Sequence, residues 1–101
     1  MSNYEIGRRL EYRVRDLFRR QGFLVIRAAQ SKPIDLFCMK NGQSMLIECK
    51  AGRSFLSNDR KKELLGLSEQ AGATMVLARR KKRKLELIKL SNGQPLEFEA
   101  C

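Results

Sequence analysis

The sequence predicts one α/β domain across residues 1–101, with a mixed central sheet flanked by helices. Three observations carry that expectation. Apolar residues recur at steps of three and four from Ile6 to Phe18 and again from Leu64 to Ala71, the spacing of one helix face. Short runs rich in branched and aromatic residues lie between and beyond those stretches, the composition of strands. Asn41-Gly42 separates two such runs, and that dipeptide is the strongest short-range signal for a two-residue hairpin turn. The resulting order is helix, three strands, helix, two strands.

The first helix is "SNYEIGRRLEYRVRDLFRRQG". Ser2 and Glu5 have the spacing of a capping box, and Gly22 is a natural stop. Its apolar stripe is Ile6, Leu10, Val14, Leu17 and Phe18, and Arg8, Arg9, Arg15, Arg19 and Arg20 lie mostly off it. "FLVIRA", Phe23 to Ala28, is the first strand. "AQSKP" is a loop, because Pro33 does not fit a central strand. Ile34–Lys40 and Gln43–Lys50 are the second and third strands. "AGRSFLSNDR" is a loop in which Ser57, Asn58 or Asp59 can cap a second helix. That helix runs to about Ala71, with Leu64, Leu65, Leu67 and Ala71 inward and Gly72 as terminator. "ATMVLARR" and "KLELIKL" are the last two strands, joined by a basic turn. From Ser91 onward, Asn92-Gly93 and Pro95 leave the pattern without a definite element.

Composition narrows the function. A hydrophobic fraction of 43% argues against whole-chain disorder. A net charge of +10 with no histidine opposes compaction and favours a polyanion, nucleic acid before an anionic membrane surface. Cys38, Cys49 and Cys101 have no CxxC spacing, so a structural zinc site is not expected. An odd cysteine count without a signal peptide points to a reducing, intracellular setting. No apolar run approaches the roughly 20 residues needed to cross a bilayer.

The hairpin "IDLFCMKNGQSMLIECK" carries an anomaly. With Asn41-Gly42 as the turn, Lys40 pairs with Gln43, Phe37 with Leu46 and Asp35 with Glu48. Period two then places Asp35, Glu48 and Lys50 on one face. Like charges opposite each other destabilise a ladder. Two arrangements relieve the pair: a salt bridge to Lys50, or a hard cation such as Mg²⁺ or Mn²⁺ held between carboxylate oxygens. Glu11 falls at the edge of the helical stripe, where it is either a solvated partner of Arg8 or Arg15 or a third ligand for that cation. Gly7, one turn earlier, is then read as leaving room beside Glu11, since glycine in a helix costs about 1 kcal/mol relative to alanine.

Glu11 on a first helix, then Asp35, then "ECK" with Glu48 and Lys50, resembles the PD-(D/E)xK nuclease superfamily. "GRRLEYRVRDLFRRQGFLVIRAAQSKPIDLF" followed by "LIECK" resembles the archaeal-type Holliday junction resolvases within it, over roughly Gly7 to Ala78. One departure is that Ile34 separates Pro33 from Asp35. The resemblance implies a restriction-endonuclease-like αβββαβ core. It implies that Asp35 and Glu48 hold a Mg²⁺ ion (Mn²⁺ substituting), with the backbone carbonyl of Cys49 as a further ligand and Glu11 completing the site. Lys50 would orient or deprotonate the attacking water. Ser31 occupies the loop where related resolvases place a catalytically relevant serine, though an ordinary turn serine is the commoner reading of that position.

The candidate phosphate-binding residues are Arg8, Arg9 and Arg15 on the first helix, then Lys32, Arg53, Arg60 and Lys61. "RRKKRK", Arg79 to Lys84, is a further basic run. Aromatic residues do not interleave with these clusters, which disfavours a single-strand stacking platform. One active site cuts one strand, so paired incision of branched DNA requires a homodimer, expected to be C₂. Leu85, Leu87 and Leu90 serve either its interface or the core. The leading expectation is a metal-dependent endonuclease acting on four-way junctions. Its alternatives are a restriction-like or nicking nuclease of the same superfamily and a non-catalytic basic nucleic-acid-binding module.

Overall fold

The structure is a computed structural model that describes residues 3–51 and 56–98. Helix α1, Asn3–Arg20, is followed by β1, Leu24–Arg27, a short 3-10 turn at Ala29–Ser31, β2, Leu36–Lys40, and β3, Gln43–Lys50. Helix α2, Asn58–Ala71, leads to β4, Thr74–Lys81, and β5, Lys84–Lys89. The element order is the one the sequence predicts. Ser2 lies outside the described residues.

The five strands form one mixed sheet in chain order, β1-β2-β3-β4-β5. Only β3 and β4 are parallel, because α2 carries the chain back across the sheet between them. Asn41 and Gly42 both adopt positive φ, 49° and 78°, as a type I′ turn requires. That turn sets the expected register, with Lys40 opposite Gln43 and Leu36 opposite Ile47. Ser57 caps α2 by accepting the Arg60 N–H, and Gly72 closes it in the left-handed region at φ 65°.

Each helix covers one face. Leu10, Val14 and Phe18 of α1 pack on Leu36, Cys38, Met45, Ile47, Val76 and Ala78. Leu64 of α2, with half-buried Leu65 and Leu67, packs on Leu46, Met75, Leu77 and Leu90. Ala71, expected inward, is exposed at the helix end. Leu90 belongs to the core, and half-buried Leu85 and Leu87 pack against the α1-side cluster. Burial pushes the Cys38 thiol up to about 12, so it sits in the core as a neutral, hydrophobe-like group.

The tail has a definite role. Pro95 bridges to Ile88, and the Leu96 N–H donates to the Leu87 carbonyl. The tail then lays Phe98 edge-on against Phe18, with ring centroids 5.2 Å apart, and Phe23 at 6.1 Å. By contrast, β1 remains an open edge, with Leu24 62% and Ile26 46% exposed. Leu24 and Ile26 lie opposite Met39 and Phe37, on the α2 face of the sheet.

Candidate active site

Pro33 follows a cis peptide bond, and the chain bends through Ile34 and Asp35 before β2 begins. The ladder nevertheless extends to Asp35, whose N–H donates to the Ile47 carbonyl at 3.1 Å. Beyond that point β2 no longer runs beside β3. The Cys49 N–H would lose its acceptor there, and the Asp35 side chain replaces it, accepting at Oδ2 from 2.7 Å. Asp35 therefore reaches across to the end of β3, where Glu48 and Lys50 lie.

Asp35 and Glu48 are both buried, 8% and 6% exposed, which is rare for carboxylates without compensation. The main compensation for Glu48 is Arg60, from the first turn of α2. Its Nε and Nη2 donate to Glu48 Oε2 at 3.0 and 2.9 Å, Nη2 also donates to the Pro33 carbonyl, and Nη1 pairs with Glu63. Burial still raises the Glu48 carboxyl above its ordinary range. The Arg60 hydrogen bond opposes this, the Asp35 charge adds to it, and Lys50 pulls it back. Asp35 and Lys50 thus both act on Glu48 at one end of the hairpin, as the register demands.

Glu11 is buried on the α1 side, where the Arg27 Nε donates to its Oε1 at 2.6 Å. Its charge, together with those of Asp35 and Glu48, reinforces the effect of burial in raising the Cys49 thiol. Among the described residues, no three side chains of the Asp, Glu and Cys type converge closely enough to enclose an ion. The structure therefore brings Asp35 and Glu48 together with Lys50 but leaves Glu11 with Arg27. A Cβ at Gly7 would meet nothing within 4 Å among the described residues, so no described neighbour requires glycine there.

The donor set still suits a hard cation. Mg²⁺ keeps several waters and is commonly held by one or two carboxylates together with substrate phosphates, not by an all-protein cage. Asp35 and Glu48 offer four oxygens, of which, among the described residues, Asp35 Oδ2 and Glu48 Oε2 are engaged by protein donors.

The basic residues fall into distinct groups. The Arg15 and Arg27 guanidinium carbons lie 4.6 and 4.9 Å from the centre of the Tyr12 ring, with Arg8 at 5.9 Å. Arg15 also pairs with Asp16. Arg9, Lys32 and Lys61 are exposed. Arg60, read from the sequence as a phosphate ligand, pairs with Glu48 and keeps a quarter of its side chain exposed. The backbone of Ser31 lies in the 3-10 turn before Pro33. Arg53 lies outside the described residues. Sequence reasoning missed both the Arg60–Glu48 pair and the Arg27–Glu11 pair. The only signal for either was the presence of a buried carboxylate in need of a partner, since neither spacing follows a helix or strand period.

The fold, the site and the charge can be set beside known proteins. The family described as "Archaeal holliday junction resolvase (hjc)" matches residues 2–97. The chain is similar to "Crossover junction endodeoxyribonuclease Hjc" of Methanocaldococcus jannaschii, with 31% identity over 78 residues, 74% of this chain. It spans only 59% of that relative's length. Among solved structures it is similar to Archaeoglobus fulgidus Hjc, titled a Holliday junction resolvase from an archaeal hyperthermophile. The TM-score is 0.73 at 22% identity, over 84% of this chain and 73% of that one, and this likeness establishes the shared fold.

Proposed function

The chain belongs to the archaeal Holliday junction resolvase family, and we propose that it is a Mg²⁺-dependent endonuclease that hydrolyses phosphodiester bonds in four-way DNA junctions as a homodimer. The observation that carries this reading is the buried pair Asp35 and Glu48 beside Lys50 at the end of one hairpin. A basic binding module has no need to bury two like charges together. A bound metal would neutralise the phosphate and make its water more acidic. Asp35 and Glu48 are the residues that would hold it, and the Cys49 carbonyl, at the same end of β3, is a further candidate ligand. Lys50 orients or deprotonates the attacking water and opposes the charge that develops on phosphorus. Glu11, tied to Arg27, sets the charge on the α1 side of the same sheet end.

Arg60 holds the charge of Glu48 and is the group that would yield to a bound divalent cation. The exposed apolar pair Leu24 and Ile26 on edge strand β1 supports association of two copies. Two free cysteines, buried Cys38 and half-buried Cys49, are consistent with action inside a reducing cell. No helix among the described residues is long and apolar enough to cross a membrane. Incubation of a labelled four-way junction with and without Mg²⁺ tests the reading. Symmetric incision that requires the metal is expected. An intact junction at saturating protein and Mg²⁺ would sink it.

A further inference from the structure

The basic run Arg79–Lys84 divides between the two faces of the sheet. Arg79 lies on the α2 face and pairs with Glu86 of β5. Period two turns Arg80 to the α1 face, after Val76 and Ala78, which pack under α1. There the β4–β5 hairpin meets the first half of α1. The Arg13 Nη1 donates to the Arg83 carbonyl at 3.2 Å, which docks the turn onto the helix.

The two elements enclose a groove of about 570 Å³. Arg9, Arg13, Arg80, Lys82 and Arg83 line it. All five are exposed, and among the described residues none forms an ion pair with a carboxylate. Ile6, Leu10 and Ala51 supply an apolar floor. Five uncompensated cations around one groove repel one another, so the arrangement stands against the stability of the chain.

The turn shows the same conflict in its backbone. Lys82 and Arg83 adopt positive φ, 50° and 67°. Such a turn favours Asn-Gly, and this chain uses Asn-Gly in the same role between β2 and β3. A left-handed conformation costs a residue with a full side chain roughly 1–2 kcal/mol. Strain of this kind persists at functional positions. Here it is accepted in order to present two long cationic side chains where smaller residues would fold better.

The groove lies at the same end of the sheet as the candidate active site, on the opposite, α1 face. Ala51 follows Lys50 directly, and Lys50 lies opposite Arg79 in the parallel ladder. Both sites occupy the carboxyl-terminal end of β3 and β4. Cations above an apolar floor fit a sugar-phosphate strand, with phosphates on the guanidinium and ammonium groups and deoxyribose on the aliphatic surface. Among the described residues no aromatic side chain lines the groove, so its described walls offer no platform for base stacking.

We propose that the groove between α1 and the β4–β5 hairpin is a second phosphodiester-binding site, which holds a DNA strand as it leaves the carboxylates. The inference rests on the nuclease reading and adds to it the residues that position the uncut backbone. The test is the double substitution Lys82→Asn with Arg83→Gly, measured by thermal unfolding and by binding to a fluorescent four-way junction without divalent metal across a salt series. The turn becomes easier to form, so the melting temperature should hold or rise. Junction affinity should fall at least tenfold at low salt, and the slope of log affinity against log salt should shrink by about two, one phosphate per lost cation. Arg9→Gln with Arg80→Gln, on two other walls of the groove, should lower the slope similarly and decides the matter if the turn variant loses stability. Unchanged affinity and slope in both variants, with a wild type that binds and cuts the junction, would overturn this inference alone. A wild type with no affinity for DNA would overturn the nuclease reading and this inference with it.

Discussion

One oxygen of the Asp35 carboxylate accepts the Cys49 N–H, so a substitution that removes its charge must keep an acceptor there. Asp35→Asn does so, and Glu48→Gln keeps an acceptor for Arg60. Both variants should fold and bind junctions nearly as well as the wild type, since affinity comes from many cations. They should lose cleavage by at least two orders of magnitude, as should Lys50→Ala. Near-normal cleavage in any of the three, with Mg²⁺ in excess, would remove the role assigned to that residue. Arg60→Ala acts differently. It leaves Glu48 buried without its main counter-charge, and because Arg60 remains a quarter exposed, the loss should be about 1–2 kcal/mol, below the figure for a fully buried pair. A divalent cation can then take the place of the guanidinium. Added Mg²⁺ should raise the melting temperature of Arg60→Ala more than that of the wild type. Equal shifts in calorimetry would mean that the ion does not compete with Arg60.

At the level of elements, the tail and the aromatic cluster it joins contribute to the stability of the α1 side. Phe98→Ala removes edge-to-face contacts with Phe18 and Phe23 at a half-buried site, which should cost about 2 kcal/mol in urea unfolding. A change below about 0.5 kcal/mol would place the ring outside the folded unit. This contribution was not legible in the sequence. Asn92-Gly93 and Pro95 break any period, and Phe98 finds its partners on α1 and at the start of β1, far away along the chain. The elements with strong local chemistry were legible. Asn41-Gly42 fixed the β2–β3 register, and with it the proximity of Asp35 and Glu48, because a type I′ turn leaves the strands one pairing. Gly72 and Ser57 likewise bounded α2. The site was legible only as far as that ladder reaches. Arg60 and Arg27 meet their carboxylates through the path of a loop and the packing of a helix on a sheet, and neither follows from spacing. The departure at Glu11 has the same cause, since the edge of a helical stripe does not specify which neighbour a carboxylate will take.

For the whole molecule, a net charge of +10 makes binding depend on ionic strength, and geometry must supply selectivity. Among the described residues no base-reading group stands beside the carboxylates, so under the proposed function a preference for junctions is expected from two sites held at a fixed spacing. The protein should be dimeric at micromolar concentration and should cut four-way junctions in preference to linear duplex of the same sequence. Light scattering with a competition cleavage assay reads both, and a strict monomer that cuts duplex equally fast would leave a nuclease that is not a resolvase. The strand order β1-β2-β3-β4-β5 has a kinetic consequence. Every antiparallel pair joins neighbours along the chain across a short connection, and such contacts form early. The parallel β3–β4 pair closes only after α2 has carried the chain back, so it is the slow, non-local event. Val76→Ala in that ladder should slow refolding, whereas Val25→Ala at the β1 edge should mainly speed unfolding; equal effects on the two rates in stopped-flow chevrons would refute this order. The step expected to limit folding is then also the step that completes the proposed site, for until β3 and β4 meet, the chain carries a carboxylate hairpin and a cationic hairpin with no fixed distance between them.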